Sequence, residues 1–354
     1  MKKRILKLGA VALLALGLAS CDLKSTDATS DNNIIGKAYY MSEVQDLRSF
    51  NPLRDRLDGL GFTLEHVNHY NHMEHDDIVE SFKDNYSGYI VRRQGGCEAF
   101  YENDDIIELL KDNNKPIVIR NHFDDYYKGS FSKKASIAYK MEALGIEMSN
   151  LVKAYIDNHS IEEIDLNNDK TIGLVYIFGN IDNKENIKEY EATINDLSKY
   201  IELKGYRLEI LDKLDSRNII GDEYNHLITQ EHALESYKRH NDKIDLIIAP
   251  DDELAMGALF ADEKYNTNAL IFARSIKEDI KELVKSGRIA GSLIPNYELE
   301  AEVISRLFTN LVEGREFFSG LNSVSLEDYI DNGRNYYIDM NKQAVYLHYN
   351  SYFK

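Results

Sequence analysis

The chain has 354 residues, with 42 Lys and Arg against 60 Asp and Glu and a formal net charge of −18. So acidic a protein is a poor partner for nucleic acid, and its 2 cysteines, Cys21 and Cys97, build no disulfide framework. With 4 prolines and no tryptophan, Tyr and Phe are the only aromatic faces on offer.

The N-terminus reads as a secretion signal. Lys2, Lys3, Arg4 and Lys7 precede a short apolar core from Leu8 to Leu18, too short for a comfortable membrane span. It ends in Leu18-Ala-Ser-Cys21, a lipobox-like tetrapeptide, so Cys21 is expected to carry lipid and anchor the chain to a bacterial membrane on its extracytoplasmic side. Cleavage by the ordinary signal peptidase is the alternative. Without its first 20 residues, which hold four basic side chains and no acid, the chain has 334 residues and a net charge of −22. Asp22 to Asn33 is polar and aperiodic, and reads as a flexible tether.

Strands and helices then alternate. Strands are expected at Ile34–Met41, Thr63–Val67, Gly88–Val91 and Pro116–Ile119, with helices at Gln45–Leu57, Asp76–Phe82 and Asp104–Leu110 between them. A long helix, Ser136 to Asn158, leads to a second series: strand Thr171–Phe178, helix Lys184–Glu202, strand Arg207–Leu214, helix His232–Lys238, strand Leu246–Ala249, helix Glu253–Lys264, strand Leu270–Ala273, helix Lys277–Lys285, strand Gly291–Ile294. A helix at Leu299–Glu313 and β-like runs at Asn335–Ile338 and Ala344–Tyr349 complete the chain. This order predicts an α/β fold with parallel, doubly wound sheets.

Ligands of open α/β sheets bind beyond the carboxyl ends of the strands. The residues there, a candidate pocket, are Glu43, Gln45 and Asp46; Arg92 and Arg93; Arg120, Asn121 and His122; then Asn180, Asp182, Asn183 and Glu185; Asp251 and Asp252; Arg274 and Ser275; Pro295 and Asn296. Acids and amides of this kind fork onto vicinal hydroxyls. Any one of them also fits a helix cap. The arginines suit a carboxylate or phosphate, which makes a sugar acid or other anionic solute the rival to a neutral sugar.

Asp165, Asn167 and Asp169 alternate in Asp165-Leu-Asn-Asn-Asp-Lys-Thr-Ile-Gly173, a spacing that lets oxygen ligands converge on Ca²⁺, with the Thr171 carbonyl as a further donor. The loop runs into a strand rather than a helix and lacks the Glu that ends an EF-hand loop. A polar surface turn is the plainer reading. A second stretch, Lys243-Ile-Asp-Leu-Ile-Ile-Ala-Pro-Asp-Asp-Glu-Leu-Ala-Met-Gly257, reads as a buried strand, an acidic turn and a helix start.

Together these two stretches resemble the periplasmic galactose/glucose-binding proteins of sugar ABC importers, and the likeness extends through Asn114-Lys-Pro-Ile-Val-Ile-Arg-Asn121 and Leu283-Val-Lys-Ser-Gly-Arg-Ile-Ala-Gly-Ser292. The resemblance implies a type I periplasmic binding protein: two Rossmann-like lobes, 34–139 plus 296–332 and 140–295 plus 333–354, joined by a multi-strand hinge that closes on ligand. It implies a structural Ca²⁺ held by Asp165, Asn167, Asp169, Thr171 and Asp245. Sugar contacts are implied for Asn121, Glu185 and Asp251, with Glu43 or Asp46 in the first lobe. The chain departs from the family where Asn183 replaces a His, Glu189 an Arg, Ser275 an Asp and Pro295 an Asn. In the calcium loop, Lys170 stands for the usual Gly, and Gly173 for a side-chain donor.

The expected partners are a galactose- or glucose-like monosaccharide, an ABC permease, and in a sensory variant a chemoreceptor, for a monomeric chain. An enzyme is the competing class: His66, His69, His72 and His75 recur at every third position, as in a transition-metal site. No nucleophile elbow, His-Glu-x-x-His or phosphate loop accompanies them.

Overall fold

The computed structural model describes residues 36–42, 47–68, 86–92, 115–120, 133–216, 226–274, 278–332 and 336–353. The first strands are β1 (Gly36–Ser42), β2 (Phe62–Asn68), β3 (Gly88–Arg92), β4 (Ile117–Arg120) and β5 (Lys134–Ala138), with helix α1 (Leu47–Gly59) between β1 and β2. Helix α2 (Met141–His159) leads to β6 (Thr171–Phe178), α3 (Lys184–Leu203), β7 (Arg207–Asp215), α4 (His226–His240), β8 (Leu246–Ala249), α5 (Asp252–Tyr265), β9 (Leu270–Arg274), α6 (Glu278–Ser286) and β10 (Gly291–Pro295). The chain ends with α7 (Tyr297–Val312), α8 (Leu326–Asn332), β11 (Tyr337–Asp339), β12 (Ala344–Tyr346) and β13 (Tyr349–Phe353).

These strands form two sheets, ordered β11-β12-β5-β4-β3-β1-β2 and β13-β10-β9-β8-β6-β7. Both are parallel except at one edge each, where β11 runs antiparallel to β12 and β13 to β10. Strands β4 and β8 are buried at every position and β6 at all but its first. Such unbroken apolar strands suit a parallel sheet covered on both faces, because no side chain on them meets water.

The chain passes between the sheets three times: from β5 through α2 to β6, from β10 into α7, and from β12 to β13. Helix α7 returns to the first sheet, packing on α1 and against β3, β4 and β5, while α2 packs on α3, β10 and β13. Gly145 permits the α2–α3 contact, since a Cβ there would lie 2.3 Å from the Glu189 carbonyl oxygen. One apolar core runs through both halves and includes Ile90, Val118, Leu144, Leu174, Leu293 and Phe308.

Three expectations are corrected. Residues 134–138 form a strand, and the helix expected from Ser136 starts at Met141; pairing with β4 on one side and β12 on the other prevails over the small, helix-tolerant Ala and Ser. The run Ala344–Tyr349 breaks at Leu347 and His348, where the chain changes sheets. The segment after residue 333, expected in the second lobe, is therefore divided: β11 and β12 extend the first sheet and only β13 joins the second.

Candidate functional site

Arg120 ends β4 and is buried. Its Nη2 donates to Glu300 Oε2 of α7 at 2.7 Å, and the Tyr139 hydroxyl reaches the same oxygen at 3.3 Å. Arg120 is 7% exposed and Glu300 2%, so this charge is met inside the protein.

Arg274 ends β9 and has a parallel arrangement. Its Nε and Nη2 donate to the Pro250 carbonyl at 3.2 and 3.0 Å, and Nη2 also reaches Glu189 Oε2 of α3 at 3.3 Å. The guanidinium lies 5.9 Å from the centre of the Tyr349 ring. Burial pushes the Glu189 carboxyl above its usual range; Arg274 pulls it back and Glu147 adds to the rise. The anionic-ligand expectation drew on four arginines. Two of them, Arg120 and Arg274, are already paired with glutamates.

Of the other described candidates, Asn183, Asp251 and Asn296 serve the backbone and Glu185 pairs with a lysine. Asn183 caps α3, its side-chain oxygen accepting from the Glu185 and Asn186 N–H groups at 2.8 and 3.4 Å. Asp251 caps α5 by accepting from Glu253 N at 2.9 Å, and Asn296 caps α7 through Leu299 N at 3.1 Å. Glu185 Oε1 takes Lys188 Nζ at 2.8 Å. Helix capping, the plainer reading at strand ends, holds for Asn183 and Asp251. Cys21, Glu43, Asp46, Asn121, Ser275 and the Arg92 side chain lie outside the described residues, as do Arg93, His69, His72 and His75. His66 lies on β2, its ring 5.3 Å from that of Phe50.

Glu189, Glu300, Glu147 and His348 are the site residues that strand-end reasoning did not collect. A signal was present for two of them. Glu189 shares the buried stripe of α3 with Thr193, Leu197 and Ile201, and Glu300 that of α7 with Val303, Ile304 and Leu307. An acid on an apolar stripe requires a buried partner. Glu147 braces the third crossing: one oxygen pairs with His348 Nδ1 and the other accepts from Tyr349 N at 3.0 Å. The Tyr329 hydroxyl donates to the Leu347 carbonyl at 2.7 Å, next to this pair.

The loop expected to hold calcium is closed by its own amides. Asp165 accepts from Asp169 N at 3.1 Å and from Lys170 N at 2.9 Å. Asn167 Oδ1 accepts from Asp169 N at 3.0 Å, and Asp169 Oδ1 from Thr171 N at 2.7 Å. Asp245 uses both oxygens, on Leu166 N at 2.8 Å and Gly173 N at 2.7 Å. Its carboxyl is pushed up to about 6, first by burial and further by Asp165 and Asp169, against the pull of its two N–H donors. Lys170 takes a left-handed φ of 61°. Gly173 admits no side chain, since a Cβ there would lie 1.8 Å from the Lys243 carbonyl oxygen. Among the described residues no three His, Cys, Asp or Glu side chains gather as a metal cage. Each of these acids accepts N–H groups of the loop or its neighbours, and position 173 offers no side-chain donor.

A cavity of about 690 Å³ lies between the two halves, walled by Arg48 and Asn51 of α1, Lys281 of α6, Asn296 at the second crossing, and Asn350 and Tyr352 of β13. Its volume is in the range of small-molecule sites. The Arg120 and Arg274 pairs lie outside its lining. Among the described residues, no helix is long and apolar enough to cross a membrane.

No protein-family model matches the sequence, and no curated protein matches it. Solved structures do match the fold. An arabinose binding protein from Geobacillus stearothermophilus, AraP, aligns with a TM-score of 0.62 at 11% identity, over 90% of this chain and 96% of that one. A sugar ABC transport system substrate-binding protein from Bordetella parapertussis 12822 gives 0.60 at 10% identity, over 90% and 89%. GanP, a glucose-galactose binding protein from Geobacillus stearothermophilus, gives 0.56 at 14% identity, over 79% and 92%.

Proposed function

We propose that this chain is an extracytoplasmic saccharide-binding protein that captures a monosaccharide between its two halves and presents it to an ABC permease. The observation that carries the reading is the architecture: two largely parallel sheets, joined by three crossings, with the strand ends that classically flank ligands in such sheets bearing buried polar pairs. Support comes from the similar structures, which include an arabinose binding protein and a glucose-galactose binding protein. On this reading the chain performs no catalytic step. Contacts from both halves favour the closed form, so binding and closure are one equilibrium. Attachment to the membrane through lipid on Cys21, from the Leu18-Ala-Ser-Cys21 stretch, belongs to the same proposal.

The test is a thermal-shift panel on the full-length chain purified in detergent, with galactose, glucose, arabinose and xylose. A ligand at about 100 times its Kd stabilises the folded state by roughly 2.7 kcal/mol, enough to read as a clear rise in Tm. Silence across the panel contradicts the proposal.

A further inference from the structure

The cavity of about 690 Å³ is walled by residues from both halves. Helix α1, between β1 and β2 of the first sheet, supplies Arg48 and Asn51, and α6, between β9 and β10 of the second, supplies Lys281. Asn350 and Tyr352 come from β13, where they pair with Ile294 and Ser292 of β10. Two residues apart on one strand, they project from the same face of the sheet edge.

The charges of this wall run against those of the chain. A protein with a net charge of −18 places two cations here, Arg48 and Lys281, and one acid, Glu298. Glu298 is exposed and lies 3.8 Å from Arg56, outside the wall. Helix α7 also starts at the cavity, with Glu298 and Glu300 in its first turn. Glu300 is spent on Arg120, so each acid that would offset the positive end of α7 is engaged by an arginine. The Arg48 guanidinium stands 5.7 Å from the centre of the Tyr297 ring, at that same helix end.

We propose that this cavity binds a small hydroxylated oxyanion, a sugar phosphate or a sugar acid, gripped between Arg48 of the first half and Lys281 of the second. The guanidinium fork suits two oxygens of one oxyanion, and the ammonium acts as a point charge from the other side. An anion between them offsets the repulsion of two like charges across the gap. The Asn51 and Asn350 amides can donate to and accept from hydroxyls, and Tyr352 offers a ring face to the carbon skeleton. The site stands apart from the monosaccharide proposal: Arg48, Asn51, Lys281, Asn350 and Tyr352 are none of the residues to which the resemblance assigns a sugar contact, and the Arg120 and Arg274 pairs lie outside it.

The experiment is calorimetric titration of the full-length chain in detergent with glucose 6-phosphate, glucuronic acid and inorganic phosphate, repeated with Arg48→Gln and Lys281→Gln. Glucose 6-phosphate or glucuronic acid is expected to bind, and the tighter of the two identifies the source of the oxyanion. Each variant should weaken that binding about 10-fold or more, the effect of losing one charge-assisted contact. Should a cation prove necessary for folding, Asn350→Glu, at an exposed position, brings a carboxylate to the wall and should weaken the binding likewise. Inorganic phosphate binding as tightly as the hydroxylated anions would mark an adventitious ion only and overturn the inference. Binding of neither hydroxylated anion, or binding that the variants leave unchanged, overturns it too. The neutral-sugar panel decides the saccharide reading separately.

Discussion

The Glu147 carboxylate holds both His348 Nδ1 and the Tyr349 N–H, tying helix α2 to the link between β12 and β13, where the chain passes from the first sheet to the second. Glu147 and His348 are 6% and 4% exposed, so the tie is sheltered from water. Burial raises the Glu147 carboxyl above its usual range, and the bond to His348 is the main influence pulling it back. Removing one partner strands the other. Glu147→Leu is expected to destabilise the fold by roughly 3–5 kcal/mol, measured by urea unfolding; a loss under about 1 kcal/mol would mean the pair is idle.

The Arg120–Glu300 pair makes a sharper test because both partners are buried. Arg120→Met alone leaves a carboxylate without its cation and is expected to cost roughly 3–5 kcal/mol. Arg120→Met with Glu300→Leu should recover most of that loss, as well-packed apolar replacements for buried ion pairs do. If the double variant is no better than the single one, the cost comes from packing and not from charge.

Calcium should leave the protein unchanged. The Asp165 and Asp245 carboxylates already accept the N–H groups that close the loop. The melting temperature is expected to be the same in calcium chloride and in chelator. A rise of several degrees with calcium would restore the ion the sequence suggested. Asp245→Ala, by contrast, should cost on the order of 2–4 kcal/mol by orphaning the Leu166 and Gly173 amides.

The alkaline limb should report Tyr349. Its hydroxyl is pushed up to about 12, chiefly by burial, with Arg274 pulling the other way. In the unfolded chain a tyrosine loses its proton near the ordinary value of about 10. Between these values the unfolded state binds fewer protons than the folded state, so stability falls as pH rises through the window. The contribution is on the order of 2–3 kcal/mol. Tyr349→Phe should flatten the loss of stability between pH 10 and 12; an unaltered slope would assign it to the other buried tyrosines.

The alternation of strands and helices was legible because each element carries its own period. Thr171–Phe178 and Leu246–Ala249 are runs of branched and aromatic residues, and Lys184–Leu203 buries one face through Thr193, Leu197 and Ile201. Lys134–Ala138 was not legible: its Ala and Ser take strand form through partners, one of them some two hundred residues later in the chain. The site was legible in position and not in role. Strand-end logic found Arg120 and Arg274, but Glu300 and Glu189, which neutralise them, lie on helices remote in sequence. The same distance hid the brace between Glu147 and His348. In the Asp165 loop the spacing of acids was clear, while their use on amides depends on where Asp245 and Lys243 arrive.

The central claim is that a neutral sugar draws the two halves together about the three crossings. Small-angle scattering on the chain from Asp22 onward, with and without the hexose that raises Tm, tests it most directly. A smaller radius of gyration is expected with sugar bound. A saturating neutral sugar that leaves the scattering curve unchanged would contradict it.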